Sequence, residues 1–418
     1  MKSGGLLPLD TGGKIRSFQL AKELARTHQV TLFTFYPEDP ADRHAELEQI
    51  FSRVVLIPMR LAKRASFSDC VNYARNLFSG RPHAMTKYCR PEVAKRLREH
   101  LKQESYDVIM CDFLLTAAVI PWDVPCPKII FTHNVEAVIW RRHYEVSRNP
   151  VWKIISWREY RTMENMERRY LRQADHILTV SEADKQTFSE FLDPSRITVI
   201  QTGVDTDYFR PSCEQTEPST EEPNSMVFTG SMDWLPNEDG IFYFAEQILP
   251  MVRKEIPNAT LTVVGRKPSA RLRALAEKNG GMEITGRVDD VRPYVDRSAL
   301  YIVPLRVGGG TRIKIFEAMA MGKAVVSTSI GAEGLPVTHD ANIVLADKSE
   351  EFARSVVSLL SDVTLRKRIG KTARALVEQN YSWATVASQF STVFDRMKIP
   401  HQNAVQLIYE RLTATSNA

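Results

Sequence analysis

The stretch "GGGTRIKIFEAMAMGKAVVST", residues 308–328, places three glycines and two cations, Arg312 and Lys314, at the approach to an apolar helix. Glycines let a ligand come close to their amide groups, and a helix starting near Ile313 points its unpaired N–H groups and positive dipole end at the same loop. Such a loop invites an anion. Cations beside a helix start are unfavourable unless an anion offsets them, which favours a phosphate over plain solvent. A little further on, Glu317 stands among Ala318, Met319, Ala320 and Met321. A lone acid in a helix this apolar needs a partner to compensate its desolvation.

These groups must be held by strands. The runs "QVTLFTFY", "RVVLIPM", "DVIMCDFL", "PKIIFTHN", "HILTVSE" and "ITVIQTGV" alternate with longer helical patterns, as buried parallel strands do. A polar stretch, "PSCEQTEPSTEEPN" (211–224), breaks the pattern like a domain boundary. Alternation restarts with "SMVFTGSM", "TLTVVGRK", "MEITGRV", "LYIVPLRV", "KAVVSTS" and "ANIVLAD". The fold class is α/β, with two doubly wound halves facing each other across a linker. In open sheets of this kind ligands sit at the carboxyl ends of strands, so the loops "TGG", "FTHN", "FTGSMDW", "VVGRK", "TGRVDD" and "PLRVGGGT" are expected to ring one cleft. The stretch before Gly12 and Gly13 holds few apolar residues, so the opening strand is either very short or begins ahead of residue 1.

With 418 residues, 43% hydrophobic, the chain has room for two domains with their own cores. Its net charge of +5 is spread over many segments, which argues against nucleic acid as a partner and leaves anionic ligands or membrane surfaces open. Five cysteines occur singly, without a C-x-x-C pair, which points to a reducing compartment, the cytoplasm, and away from a zinc site. No signal peptide is recognisable and no apolar run approaches the ~20 residues of a membrane span. The segment "WKIISWREYRTMENMERRYLR" (152–172) mixes aromatic and basic residues at helical spacing. It suits either a surface helix with a buried stripe or a helix lying on an anionic membrane.

Almost the whole chain resembles the retaining glycosyltransferases of the GT-B fold, the group 1 family that includes sucrose synthases and bacterial mannosyl- and glucosyltransferases. The resemblance rests on "VPLRVGGGTRIKIFEAMAMGKAVVSTSIGAEGL", "TGRVDDVRPYV", "FTHNVE", "TVSEADKQTF", "TGVDTDYF" and "TGGKIRS", in their order and intervals. It implies two Rossmann-like domains across a cleft: residues 1–208, completed by C-terminal helices at about 383–418, on the acceptor side, and 209–382 on the donor side. It further implies transfer from a nucleotide-diphosphate sugar, the co-substrate, to a saccharide or lipid-linked acceptor in cell-surface polysaccharide or glycolipid synthesis. Peripheral contact with the inner membrane then follows, and no cofactor or metal is called for.

The family's roles map onto residues of this chain one by one. Arg312 and Lys314, with the amides of Gly309, Gly310 and Thr311, become the diphosphate site. Many members carry an Arg and Lys pair early in the second domain, but that place here reads "FTGSMDWLPNEDG" (228–240), without a cation. Glu317 fits the second acid of an E-x7-E motif and accepts the ribose hydroxyls, since a carboxylate suits a vicinal diol. Gly309 stands where the first acid is usual, so one donor-sugar contact is missing. His133 matches a histidine beside the donor sugar, acting by hydrogen bonding or through its dipoles, and Glu136 either orients its ring or caps a helix. Gly12 and Gly13, with Lys14 and Arg16, form a loop against the diphosphate and acceptor. Gly230 belongs to the donor loop with Asp233, Trp234 and Asn237, Arg287 and Val288 frame the base, and Glu333 is a further sugar or base contact. A nucleotide-sugar-binding protein without transferase activity, or an epimerase of the same fold, is the alternative.

Overall fold

The computed structural model describes every residue except 3–4, 8, 10–11, 37–40, 60–65, 89, 148, 212–220, 308–312 and 398–418. Two compact units divide the chain, Met1–Ile200 with Ala387–Ala418 and Gln201–Val386. Each apolar run noted above contributes a strand, and every ladder is parallel.

In the first unit the strands are β1 (Thr31–Tyr36), β2 (Arg53–Pro58), β3 (Ile109–Asp112), β4 (Lys128–Phe131), β5 (His176–Thr179) and β6 (Ile197–Val199). β1 pairs with β2, and β3 to β6 pair in order. Lys2 joins the two groups, bridging Thr34 on one side and Asp112 on the other. Its N–H donates to the Phe33 carbonyl at 3.0 Å, while the Asp112 N–H donates to the Met1 carbonyl at 2.8 Å. Met1 and Lys2 therefore lie as a strand segment between β1 and β3. Strand order reverses around it, which makes its carboxyl end a switch point where ligands sit in open sheets.

One expectation changes at that point. Gly12 and Gly13 are not a free loop but the first turn of the helix Gly12–Leu24, where amides lack intrahelical partners. The approach is close: a Cβ on Gly13 would lie 3.1 Å from the Phe113 ring, which would have to give by a few tenths of an ångström.

The second unit contains β7 (Glu222–Thr229), β8 (Thr260–Val264), β9 (Met282–Gly286), β10 (Ser298–Val303), β11 (Val325–Ser327) and β12 (Val344–Leu345). Their order, β12-β11-β10-β7-β8-β9, is the doubly wound arrangement with its switch point between β7 and β10. β7 begins at Glu222, inside the polar stretch assigned to a linker, because Glu222 finds a partner in Ser298 of β10. Pro223 is tolerated this close to a strand start, where its missing N–H costs least. All of β10 is buried, and Phe228, Phe244, Phe316 and Phe352 fill the core beside it.

The helix Trp383–Met397 spans the division. Trp383 covers Gly203 in the second unit, and Phe390 meets Phe131 of the first at 5.1 Å. Cys70, Cys111 and Cys126 carry free thiols, and Cys89 and Cys213 lie outside the described residues. No described helix is long and apolar enough to cross a membrane.

Neighbouring strand ends in the second unit touch backbone to backbone, since a Cβ on Gly265 would collide with the Gly230 carbonyl. Backbone cannot yield as a flexible side chain would. Gly265→Ala should therefore cost ~3 kcal/mol or more, and a denaturant titration showing less than ~1 kcal/mol of loss would refute the close approach.

Candidate active site

The helix Ile313–Ala320 follows β10 and buries Ile315, Phe316, Ala318, Met319 and Ala320. Lys314 and Glu317, three apart, share its remaining half-buried face. Lys314 Nζ donates to Asn237 Oδ1 at 2.9 Å and stands 4.0 Å over the Phe228 ring. Asn237 belongs to the helix Leu235–Tyr243 that follows β7, so this bond spans the switch point. Gly230 sits directly beneath: a Cβ there would lie 2.6 Å from Lys314 Nζ and 2.7 Å from Asn237 Nδ2. Any larger residue would displace the cation. Burial pushes the Glu317 carboxyl up to about 7, the Lys314 charge partly offsetting it. Buried Tyr301, bonded to Thr229 Oγ1 at 2.5 Å, lies within reach of the Glu317 charge.

A string of hydrogen bonds continues from Asn237. Its Nδ2 donates to the Ser231 carbonyl at 2.8 Å, and the Ser231 hydroxyl accepts from Arg266 Nε at 2.8 Å while donating to Asp233 at 2.5 Å. Lys267 closes the string on Asp233 at 2.9 Å. The segment 228–240 has no cation of its own, yet the end of β8 supplies two beside it. The loop "VVGRK" is expected at the rim of a cleft; the adjacency of Arg266 to Ser231 depends on β7 and β8 being neighbours, which the local sequence does not state.

In the first unit the strand-end polar groups converge on Asp112. His133 Nε2 bonds Asp112 Oδ1 at 2.6 Å and Lys2 Nζ bonds Asp112 Oδ2 at 3.1 Å. Arg16, on the helix that starts at Gly12, approaches His133 Nδ1 at 3.4 Å. Guanidinium can only donate, so Nδ1 accepts and the proton sits on Nε2, facing the carboxylate. Burial pulls His133 down to about 4, against the opposing pull of Asp112, and the imidazole is neutral at ordinary pH. Burial also raises Asp112, but Lys2 and His133 outweigh it and hold the acid well below the usual carboxylate range. The ring is clamped between Phe113, stacked at 3.8 Å, and Phe131 at 4.4 Å. Phe113 takes φ +70° to reach this position, an uncommon conformation for a bulky side chain.

Arg16, expected in one loop with Gly12, Gly13 and Lys14, is buried against His133. Lys2, Asp112 and Phe113 escaped notice in the sequence. The one available signal was an acid ending the apolar run "VIMCD". Arg287 is exposed after β9, and Val288 packs on the second core. Glu333 is half-buried beyond β11, and Trp234 is half out in solvent at the start of its helix. Gly309, Gly310, Thr311 and Arg312 lie outside the described residues.

The family described as Glycosyltransferase Family 4 matches residues 11–208, and Glycosyl transferases group 1 matches residues 223–362. Two switch points, each closed by a glycine, thus fall one in each family region. The chain belongs to the group 1 glycosyltransferases. A Klebsiella pneumoniae protein described as an uncharacterized 44.6 kDa protein in the cps region is 23% identical over 93% of this chain and 96% of its own length. A phosphatidyl-myo-inositol mannosyltransferase of Mycobacterium tuberculosis is 28% identical over 47% of this chain and 53% of its own. Sucrose-phosphate synthase from Thermosynechococcus elongatus superposes with a TM-score of 0.67 at 16% identity, covering 93% of this chain and 94% of that one. Anabaena HepE in complex with UDP gives 0.63 at 16% identity, with 95% and 100% covered. The fold is GT-B, with two Rossmann-like domains.

This glycosyltransferase also sets a buried acid, Glu167, beside the half-buried Glu136. Glu167 accepts from the Ala137 N–H at 3.3 Å, capping the helix Glu136–Val146 that begins with Glu136. Burial first, and then the neighbouring Glu136 charge, push Glu167 up to about 8. An unfolded glutamate ionises near ~4.3. Rising pH therefore takes the proton from the unfolded chain first, and this contribution to stability is lost between about pH 4.3 and about 8. Glu167→Gln keeps its neutral form throughout, so its stability relative to wild type should rise from pH 5 to pH 8 in denaturant titrations; a pH-independent difference would contradict the buried acid.

Proposed function

We propose that this enzyme is a retaining hexosyltransferase that moves a sugar from a nucleotide-diphosphate sugar to a saccharide or lipid-linked acceptor, at the cytoplasmic face of the membrane, in cell-surface polysaccharide or glycolipid synthesis. The observation that carries the donor assignment is the pairing of Lys314 and Glu317 on one face of the switch-point helix. A fixed cation meets the charge that develops on a departing diphosphate, and a partly buried carboxylate beside it accepts a vicinal diol, the ribose. The solved HepE complex with UDP supports a nucleoside diphosphate as the ligand class, and the mannosyltransferase named for phosphatidyl-myo-inositol supports a lipid-borne acceptor.

Asn237 positions Lys314 while Gly230 leaves room for it. Arg312 and the amides of Gly309, Gly310 and Thr311 complete the diphosphate site in this reading, and Arg287, Val288 and Glu333 lie toward base and sugar. No metal is assigned, because the cations and helix end offset the leaving-group charge. Both His133 ring nitrogens have partners within the unit, so His133 acts on the sugar through its dipole and backbone rather than as a proton carrier. The acceptor proton then leaves with the departing phosphate in a front-face substitution.

Calorimetric titration with nucleoside diphosphates tests the donor site. Lys314→Ala should lose ~10- to 100-fold affinity for the diphosphate and little for the nucleoside, the range for a charge-assisted hydrogen bond. Glu317→Gln should weaken both ligands. Because the ionised Glu317 accepts the diol and its carboxyl is raised to about 7, wild-type affinity should climb from pH 6 to pH 8 and that climb should vanish in Glu317→Gln. Full affinity in either variant rejects the corresponding role.

A further inference from the structure

The first unit carries large apolar side chains in solvent at one place. On the helix Pro150–Gln173, Val151, Ile154 and Trp157 are 64%, 69% and 51% exposed, and Val146 just before it is 70% exposed. The turn after the helix Phe67–Arg75 adds Phe78 at 93% and Leu77 at 40%. Arg158 brings the two together. Its guanidinium donates to the carbonyls of Asn76 at 2.8 Å, Leu77 at 2.9 Å and Arg81 at 3.3 Å, which sets the Leu77–Phe78 turn beside Trp157. The helix Glu136–Val146 leads into the same tip, where Trp140 and Trp152 meet at 6.2 Å.

Charge surrounds this apolar tip unevenly. Arg75, Arg81 and Lys153 are exposed around it, and Arg161, also exposed, is paired with Glu164 at 3.1 Å. Within residues 67–81 and 136–161 the one exposed acid is Glu145, itself 3.7 Å from Arg141. Asp69 and Glu159 are buried, held by Lys87 and Arg158 respectively. Apolar and aromatic side chains ringed by surplus cations fit a lipid bilayer with anionic headgroups: the rings enter the interfacial layer and the arginines meet the phosphates. A folded protein partner of ordinary mixed charge would leave the cations unmatched.

We propose that the surface formed by Val146, the first turns of the helix Pro150–Gln173 and the 76–81 turn docks this enzyme on an anionic membrane. It covers the first third of the segment 152–172 together with a turn distant in the chain, which Arg158 brings alongside. The remainder of that segment is an ordinary packed helix, with Glu159, Met163, Glu167, Tyr170 and Leu171 buried. Docking deepens the reading of a lipid-linked acceptor and stands on separate residues from the donor site.

Co-sedimentation of the full chain with vesicles tests it. Wild type should bind phosphatidylcholine vesicles containing phosphatidylglycerol at least ~10-fold better than phosphatidylcholine alone, and lose that binding in high salt. Phe78→Ser with Ile154→Ser should reduce binding to the neutral-vesicle level while leaving nucleoside diphosphate affinity unchanged, which shows the variant is folded. Equal binding of the variant, or no wild-type binding to anionic vesicles, overturns the proposal. So does a wild-type dimer in light scattering that the double variant disperses, because the patch would then be an interface between copies. If wild type binds vesicles but no nucleoside diphosphate, the donor-site reading fails and docking stands, with circular dichroism then reporting the variant's fold.

Discussion

A parallel sheet covered on both faces has no interior place for an unpaired charge. β4 and β10 are buried from end to end, so desolvation drives every group with chemistry to the strand termini. There, loop and helix-start amides provide partners that the sheet cannot. Asp112, His133 and Lys2 at one switch point, and Lys314, Asn237 and Glu317 at the other, are the same solution reached twice. Each is closed by a glycine, Gly13 or Gly230, at the spot where a Cβ would strike the partner across the crevice.

The two centres nevertheless differ in electrostatic character. Around Asp112 the one acid is held from two sides, by Lys2 and by the neutral imidazole, and Arg16 adds a second cation behind the ring. Around Lys314 compensation is incomplete, since Glu317 is lifted by burial and only partly lowered by the nearby cation. An incompletely compensated carboxylate gains most when a ligand supplies hydrogen bonds.

Strand positions were legible in the sequence because burial on both faces writes continuous β-branched runs, and the helix expected from about Ile313 was legible because its apolar residues bury one face. What could not be read were consequences of strand order. Lys2 looks like a stray basic residue until it lies between Thr34 and Asp112. Arg16 reads as part of a glycine loop until the Gly12–Leu24 helix turns it inward to His133. Ser231 lacks a cation in its own segment, and Arg266 reaches it because β7 and β8 are neighbours. Even Glu222, polar and next to a proline, is a strand residue only because Ser298 is opposite. In each case the missing information was a partner distant in sequence.

The helix Trp383–Met397 fixes the order in which the molecule can be completed. The second unit is one continuous segment, Gln201–Val386, interrupting the first. Phe390, fully buried against Phe131, leaves the ribosome only after that whole segment has been made. The second unit can therefore close on itself during synthesis, whereas the first keeps an open apolar seat at Phe131 until its last helix arrives. Contacts that span so much chain form late, so the part of the enzyme begun first is the part sealed last.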